Sequence, residues 1–165
     1  MKNILLITSK NKLNTNSYKN FIHYLNKVKM PHKVIDTDLE DLSNIKTNKN
    51  TLVVSLGGDG TALKAMKIGW LHSLDVLPLG SGRIGYLVNS KKNISSVIDE
   101  WIDNKIRNIH RKAIIQNKNL KLPAFNEVVI IKNSPTRLLD LLLETYDQKV
   151  KLRADGIIIS TSLGS

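Results

Sequence analysis

Leu56-Gly57-Gly58-Asp59-Gly60-Thr61 sets one carboxylate among three glycines, directly after the apolar run Thr51-Leu52-Val53-Val54-Ser55. Glycines that follow a buried strand let the backbone turn sharply and approach a ligand, presenting amide N–H groups to phosphate oxygens. A carboxylate beside a polyphosphate is repelled unless it has another task. Two tasks fit: accepting the proton of an attacking hydroxyl, or holding a metal ion that bridges phosphates. Both belong to phosphoryl transfer. A third reading is structural, a tight strand-to-helix turn in which Asp59 caps the helix. Neither common phosphate-binding fingerprint is present, since there is no G-x-x-x-x-G-K-[ST] and no G-x-G-x-x-G after the first strand.

The elements around this corner follow from apolar periodicity. Asn3 to Thr8 is a continuous apolar run of strand length, as buried parallel strands usually are. Residues 17–29 put Tyr18, Phe21, Ile22, Leu25 and Val28 on one helical face, Pro31 ends the helix, and His32 to Asp36 is a second short strand. A polar stretch over 37–50 leads to a strand at 51–56, the glycine corner, a helix from about 61 to 70 and a strand over Asp75 to Leu79. A further helix is expected over about 94–103, capped by Asn93 or Ser95. Strands alternating with helices imply an open, mostly parallel sheet covered on both faces.

From about residue 104 the pattern changes. Phe125 to Ile131 and Ala154 to Ser160 read as strands, with no convincing helix between them. Thr136 to Tyr146, with five leucines within six positions, fits a helix or a strand. The strand is preferred because Tyr146-Asp147-Gln148-Lys149 makes a plausible hairpin turn before Val150 to Arg153. The expected fold class is therefore α/β, with an open, mostly parallel sheet domain over 1–103 followed by an incomplete all-β domain over 104–165.

Composition limits the partners. The chain has 165 residues, 41% of them hydrophobic, enough for one ordinary core or two small ones. No apolar run approaches the ~20 residues of a membrane span, and the N-terminal MKNILLITSKNK turns polar too early for a secretory signal, so a cytoplasmic location without membrane contact is expected. The absence of cysteine excludes disulfides and thiolate metal sites, and His23, His32, His72 and His110 show no ligand spacing. No protein-built metal cage is expected. The net charge of +11 is spread out: nine Lys face four acids in 1–50, five basic residues face five acids in 51–103, and eleven face five in 104–165. Basic runs such as Lys91-Lys92 and Arg111-Lys112 are short and little interleaved with the eight aromatics, which argues for a solvated basic surface rather than a nucleic-acid site.

Four blocks in order give the corner a context. Gly57-Gly58-Asp59-Gly60-Thr61 alone also occurs in diacylglycerol, sphingosine and phosphofructokinase relatives. Pro78-Leu79-Gly80-Ser81-Gly82-Arg83-Ile84-Gly85-Tyr86-Leu87 resembles the G-I-N-x-G-x-L-G-F-L loop of the NAD kinases, Ala124 to Ile130 resembles their A-L-N-E-V-V-I, and Arg153 to Thr161 resembles the strand entering their T-P-T-G-S-T-A-Y. The sequence departs from the pattern at Gly80, where the family has Asn, and at Ser162-Leu163, where it has Pro-Thr.

The resemblance implies transfer of the terminal phosphoryl group of ATP, or of polyphosphate in some members, to the 2′-hydroxyl of the adenosine ribose of NAD, giving NADP, with Mg²⁺ accompanying ATP. It implies that Asp59 is the general base and that the Gly57, Gly58 and Gly60 amides lie against phosphates. Asn126 and Glu127 match the pair that grips a ribose of the dinucleotide, and Arg153 and Asp155 match dinucleotide contacts made partly across a subunit interface. By their types alone, Asn126 and Glu127 also suit a polar pair on an edge strand, Arg153 and Asp155 a hairpin-end ion pair worth little, and Tyr86 either a ligand contact or a core position. The match runs to Ser165, short of the residues that complete the family's β domain, so a second copy or a complementing chain is expected to cover open strands. The alternative function is a catalytically inactive relative that binds NAD or another nucleotide, with a regulatory or partner-binding role.

Overall fold

In a computed structural model of the protein, the described residues are 1–37, 45–80, 85–88, 94–105, 114–116, 118, 123–162 and 164. The expected positions Ser81 to Ile84, Asn93 and Leu163 lie outside them, as do Lys91-Lys92, His110 and Arg111-Lys112. The chain divides into two compact units, Met1–Ile109 and His110–Ser165.

The first unit is a parallel sheet of β1 (Asn3–Thr8), β2 (His32–Asp36), β3 (Thr51–Gly57) and β4 (Val76–Gly80), in the order β2-β1-β3-β4. Every residue of β3 is buried, as are five of the six in β1, which is why these strands read as unbroken apolar runs instead of alternating ones. Helices α1 (Asn16–Lys27) and α3 (Ile94–Ile102) cover one face, where Phe21, Leu25 and Ile98 pack on Ile4, Leu6, Leu52, Val54, Leu56 and Leu79. Helix α2 (Asp59–His72) covers the other, with Ala65 and Ile68 on Leu5, Ile7, Ile35 and Val53. The α/β class and the helix-covered parallel sheet expected from the sequence are present.

Local chemistry sets the helix ends. Thr15 Oγ1 accepts the Tyr18 amide and starts α1, and Pro31 follows its end. α2 begins at Asp59, two residues earlier than the periodicity predicts, because Gly58 serves as the extended N-cap and Asp59 suits the positive end of the helix dipole. Ser95 lies inside α3 and is not its cap. The C-terminus of α3 is tied to the chain start: the Lys2 ammonium donates to the Trp101 carbonyl, to the Ile102 carbonyl at 2.8 Å and to Asn104 Oδ1 at 2.6 Å, and stands 4.9 Å from the Trp101 ring centre.

Among its described residues the second unit holds two antiparallel strand pairs. β6 (Leu139–Glu144) and β7 (Lys149–Ala154) form a hairpin closed by Thr145 and Gln148, so the leucine-rich segment is the strand expected. Alternation places Leu139, Leu141, Leu143, Val150, Leu152 and Ala154 on one face and the cross-strand pairs Asp140–Arg153 and Glu144–Lys149 on the other. β5 (Glu127–Ile131) pairs with β8 (Gly156–Ser160) and is apolar on both faces. β5 starts at Glu127 and β8 at Gly156, each two residues later than expected; Asp155 bends the chain between β7 and β8. Among the described residues no helix is long and apolar enough to cross a membrane.

Candidate functional site

The strand order locates a crevice before any residue is considered. β1 leads to its neighbour β2 through α1 on one face of the sheet, whereas β3 leads to β4 on the opposite side through α2 on the other face. Between β1 and β3 the winding reverses, and at such a switch point the connections leaving the carboxyl ends diverge and leave a cleft. One lip of that cleft is the glycine corner after β3. The other is Ser9 and the 3-10 turn Lys10–Lys12 after β1, which carries two lysines. Thr8 joins the two strands at their ends, its buried hydroxyl donating to the Leu56 carbonyl at 2.9 Å. On the outer side of β1, Thr37 N donates to the Thr8 carbonyl at 2.9 Å, and Lys64 of α2 donates to the Thr37 carbonyl at 3.2 Å.

At the corner itself, Gly57 is buried against Thr61; a Cβ there would lie 2.4 Å from Thr61 Oγ1. Gly58 and Gly60 differ. Both are exposed, neither has a positive φ, and a Cβ on either would meet nothing within 4 Å. The chain's own packing therefore gives no reason for glycine at these positions, and the open space is what a ligand approaching the backbone requires. The amides of Asp59 and Gly60 stand in the first turn of α2, where no intrahelical carbonyl is available to them, and so present donors at the positive helix end.

Asp59 is half-buried and held by the chain that follows β4. Its Oδ2 accepts the Tyr86 amide and its Oδ1 the Leu87 amide, each at 3.1 Å. Gly85 lies against the same carboxylate, for a Cβ built there would be 2.4 Å from Asp59 Oδ1 and 2.9 Å from Val88 Cγ2. With one lone pair on each oxygen engaged, the other lone pairs remain for a proton or an ion. Asp59 is thus not the helix cap, a place that Gly58 takes; its carboxylate is bound instead by the chain after β4. The Tyr86 side chain is fully exposed, which removes the core reading for it.

The second-unit residues are distributed along the strands. Asn126 and Glu127 are half-buried at one end of the β5–β8 ladder, where the Asn126 carbonyl accepts Thr161 N at 2.8 Å and Glu127 pairs in register with Ser160. Asp155 precedes the opposite end, four ladder positions or about 13 Å away, where Gly156 pairs with Ile131. Arg153 and Asp155 do not pair with each other as a hairpin end would suggest. Arg153 Nε meets Asp140 Oδ1 at 3.0 Å on the charged face of the β6–β7 hairpin, and Asp155 Oδ1 meets Lys132 Nζ at 2.5 Å. Alternation along β7 sends Arg153 to the face opposite Leu152.

Sequence reasoning missed Thr8, the lysine lip and the backbone of Tyr86 and Leu87. Lys10 and Lys12 were legible as the residues leaving a buried strand next to the corner in a βαβ order. The amides had no signal in residue type, although the glycine that admits them did.

The family model described as ATP-NAD kinase N-terminal domain matches residues 1–106. A bifunctional NADP phosphatase/NAD kinase of Methanocaldococcus jannaschii is 32% identical over 121 residues, covering 68% of this chain and 21% of that protein. An NAD kinase of Methanothermobacter thermautotrophicus is 30% identical, over 76% of this chain and 44% of the relative, and one of Christiangramia forsetii is 30% identical, over 87% and 50%. The chain thus spans about half the length, or less, of these curated relatives. In fold it resembles the crystal structure of an NAD kinase from Archaeoglobus fulgidus in complex with ATP, with a TM-score of 0.67 and 20% identity over 97% of this chain and 60% of that one.

Proposed function

Since the chain belongs to the ATP-NAD kinase family, we propose that it serves the phosphorylation of NAD at the 2′-hydroxyl of its adenosine ribose, with ATP as donor and NADP as product. The observation that carries this reading is the position of Asp59, a fixed carboxylate in the first turn of a helix, beside exposed glycines at the switch point of a parallel sheet.

Phosphoryl transfer asks the protein mainly for positioning and charge stabilisation. The amides of the Gly57-Gly58-Asp59-Gly60 corner receive phosphate oxygens, and the positive end of α2 favours their charge. Lys10 and Lys12, on the opposite lip, add cations to a corner whose own side chains supply none. Asp59 accepts the proton of the ribose hydroxyl as its oxygen attacks the terminal phosphorus and the bond to the leaving diphosphate oxygen breaks. Asn126 and Glu127 hold ribose hydroxyls through an amide and a carboxylate, and Arg153 and Asp155 contact the dinucleotide, as the family pattern assigns them. Mg²⁺ would be held chiefly by the ATP phosphate oxygens, because the one carboxylate of the corner, Asp59, is already assigned to the proton. When bound, the ion offsets phosphate charge.

The exposed apolar residues of β5 and β8, with Ile131 72% and Ile158 61% exposed, support assembly of these strands against a second copy or a complementing chain. A cytoplasmic location goes with the reading and is tested by cell fractionation. Leu163, where the family motif carries a threonine, favours a second reading, an NAD-binding relative without turnover.

The deciding experiment measures NADP formation from NAD, ATP and Mg²⁺ by the purified chain, beside Asp59→Asn and with the oligomeric state recorded in the same buffer. Turnover that disappears in the variant sustains the kinase reading. NAD binding without turnover selects the second reading, and the absence of both overturns the two together.

A further inference from the structure

We infer that Gly85 is a positioning residue for Asp59: by carrying no side chain it lets the Tyr86 and Leu87 amides close on the carboxylate and hold it in one orientation at the start of α2. The inference rests on Asp59 being the base of the proposed reaction, but the clamp itself rests on geometry. Both oxygens accept a backbone N–H at 3.1 Å, one from each of two successive residues, a bidentate arrangement that leaves the carboxylate little rotational freedom. The space for it exists only because residue 85 is glycine. A Cβ at that position would be 2.4 Å from Oδ1 and 3.0 Å from Cγ of Asp59, well inside van der Waals contact, and Val88 closes the other side at 2.9 Å. Gly85 has no positive φ, so its requirement is one of room beside the carboxylate and not of backbone conformation.

An unclamped aspartate in the first turn of a helix samples several rotamers and turns to solvent or to its own helix amides. A base that must meet one hydroxyl loses rate when its oxygen is displaced by an ångström, because near-attack geometry is lost. Gly85 acts through Asp59 and touches no reacting atom itself. Substituting it is expected to depress turnover while sparing dinucleotide affinity, and to add nothing once the carboxylate is gone.

Two measurements on the full chain test this. In the first, hydrogen exchange of the Tyr86 and Leu87 amides is followed by NMR. In the wild type both amides are expected to be protected by the carboxylate; in Gly85→Ala that protection is lost while the spectrum otherwise retains its dispersion. In the second, kinetics of NADP formation are compared for wild type, Gly85→Ala, Asp59→Asn and the double variant. The expected pattern is a kcat at least tenfold lower in Gly85→Ala with KM for NAD within twofold, and a double variant no slower than Asp59→Asn.

Tyr86 and Leu87 amides that exchange freely in the wild type overturn the clamp. A Gly85→Ala chain that loses the amide protection yet turns over normally overturns its role in the reaction. If the wild type does not turn over, the proposed function fails on its own, and the NMR arm still decides the clamp. Should Gly85→Ala not fold, Asp59→Glu displaces the carboxylate from the other side. It is expected to lose both the amide protection and turnover although it keeps the charge, and retention of both would overturn the inference.

Discussion

The Thr8 hydroxyl donates to the Leu56 carbonyl at 2.9 Å, joining two parallel strands one residue before the glycine corner. Both residues are fully buried, so the bond fixes where β3 ends relative to β1. Thr8→Val keeps the shape and removes the donor. It is expected to cost about 1 kcal/mol, the usual net value of a buried hydrogen bond, read as a lower midpoint with unchanged slope in urea denaturation.

Asp59→Asn preserves the size and keeps one of the two acceptor oxygens, but its NH2 group cannot accept the second backbone amide and it has no proton affinity. Loss of a positioned general base is expected to lower kcat by about 10²- to 10⁴-fold, with NAD affinity retained. Single-turnover kinetics beside a binding titration separate the two quantities, and equal turnover in the variant removes Asp59 from the role.

Lys10→Gln and Lys12→Gln probe the opposite lip of the crevice. Each is expected to cost about 1 kcal/mol of ATP binding, roughly fivefold in its KM, with a smaller difference at high salt because the contact is solvent-exposed. A KM that does not respond at low salt places the phosphates elsewhere.

Tyr24 gives the first unit a dependence on alkaline pH. Its hydroxyl donates to the Ser95 carbonyl at 3.2 Å and to the Asp99 carboxylate, which joins α1 to α3. Burial, and then the hydrogen bond and charge of Asp99, raise its pKa far above the ordinary phenol range. A raised pKa in the folded state means that, as pH rises, the unfolded chain releases this proton first. The contribution is therefore complete below about pH 10, the ordinary phenol value, and is lost as pH rises from there toward the folded value. Tyr24→Phe is expected to flatten that alkaline decline in thermal melts while lowering stability at neutral pH.

Arg153→Gln distinguishes ligand contact from surface pairing. The Arg153–Asp140 pair is exposed on both sides, so its loss is expected to change stability by no more than about 1 kcal/mol. A clear loss of NAD affinity at unchanged melting temperature supports the binding role, and unchanged affinity removes it.

Much of the first unit was legible because β1 and β3 are buried on both faces and the helices on one. Asn3 to Thr8 and Thr51 to Gly57 carry unbroken apolar runs, while α1 shows Phe21 and Leu25 four residues apart. The early start of α2 was hidden because glycine lowers helix propensity, yet Gly58 is an adequate N-cap and Asp59 gains from the dipole. The contact between Asp59 and the amides of Tyr86 and Leu87 depends on β4 lying beside β3, a relationship that no local periodicity encodes. The partner of Arg153 was misread for a related reason. Its neighbour Asp155 is close in sequence, but the register fixed by the Thr145–Gln148 turn puts Asp140 directly across the ladder.

The β5–β8 pair, apolar on both faces, has lost the safeguard that most antiparallel pairs possess. A slip by one position normally turns an apolar set toward water; here it would exchange one set of valine and isoleucine side chains for another and meet almost no penalty. Alignment is instead locked at the two ends. Thr161 holds one, donating its hydroxyl to the buried Phe125 carbonyl at 2.7 Å and its amide to the Asn126 carbonyl at 2.8 Å. Gly156 holds the other, because a Cβ there would stand 2.4 Å from the Ile130 carbonyl oxygen, and a slipped chain would place a side chain in that space. The residues that keep Asn126 and Glu127 in register with β8 are therefore a threonine and a glycine, and the strand's many isoleucines have no part in it.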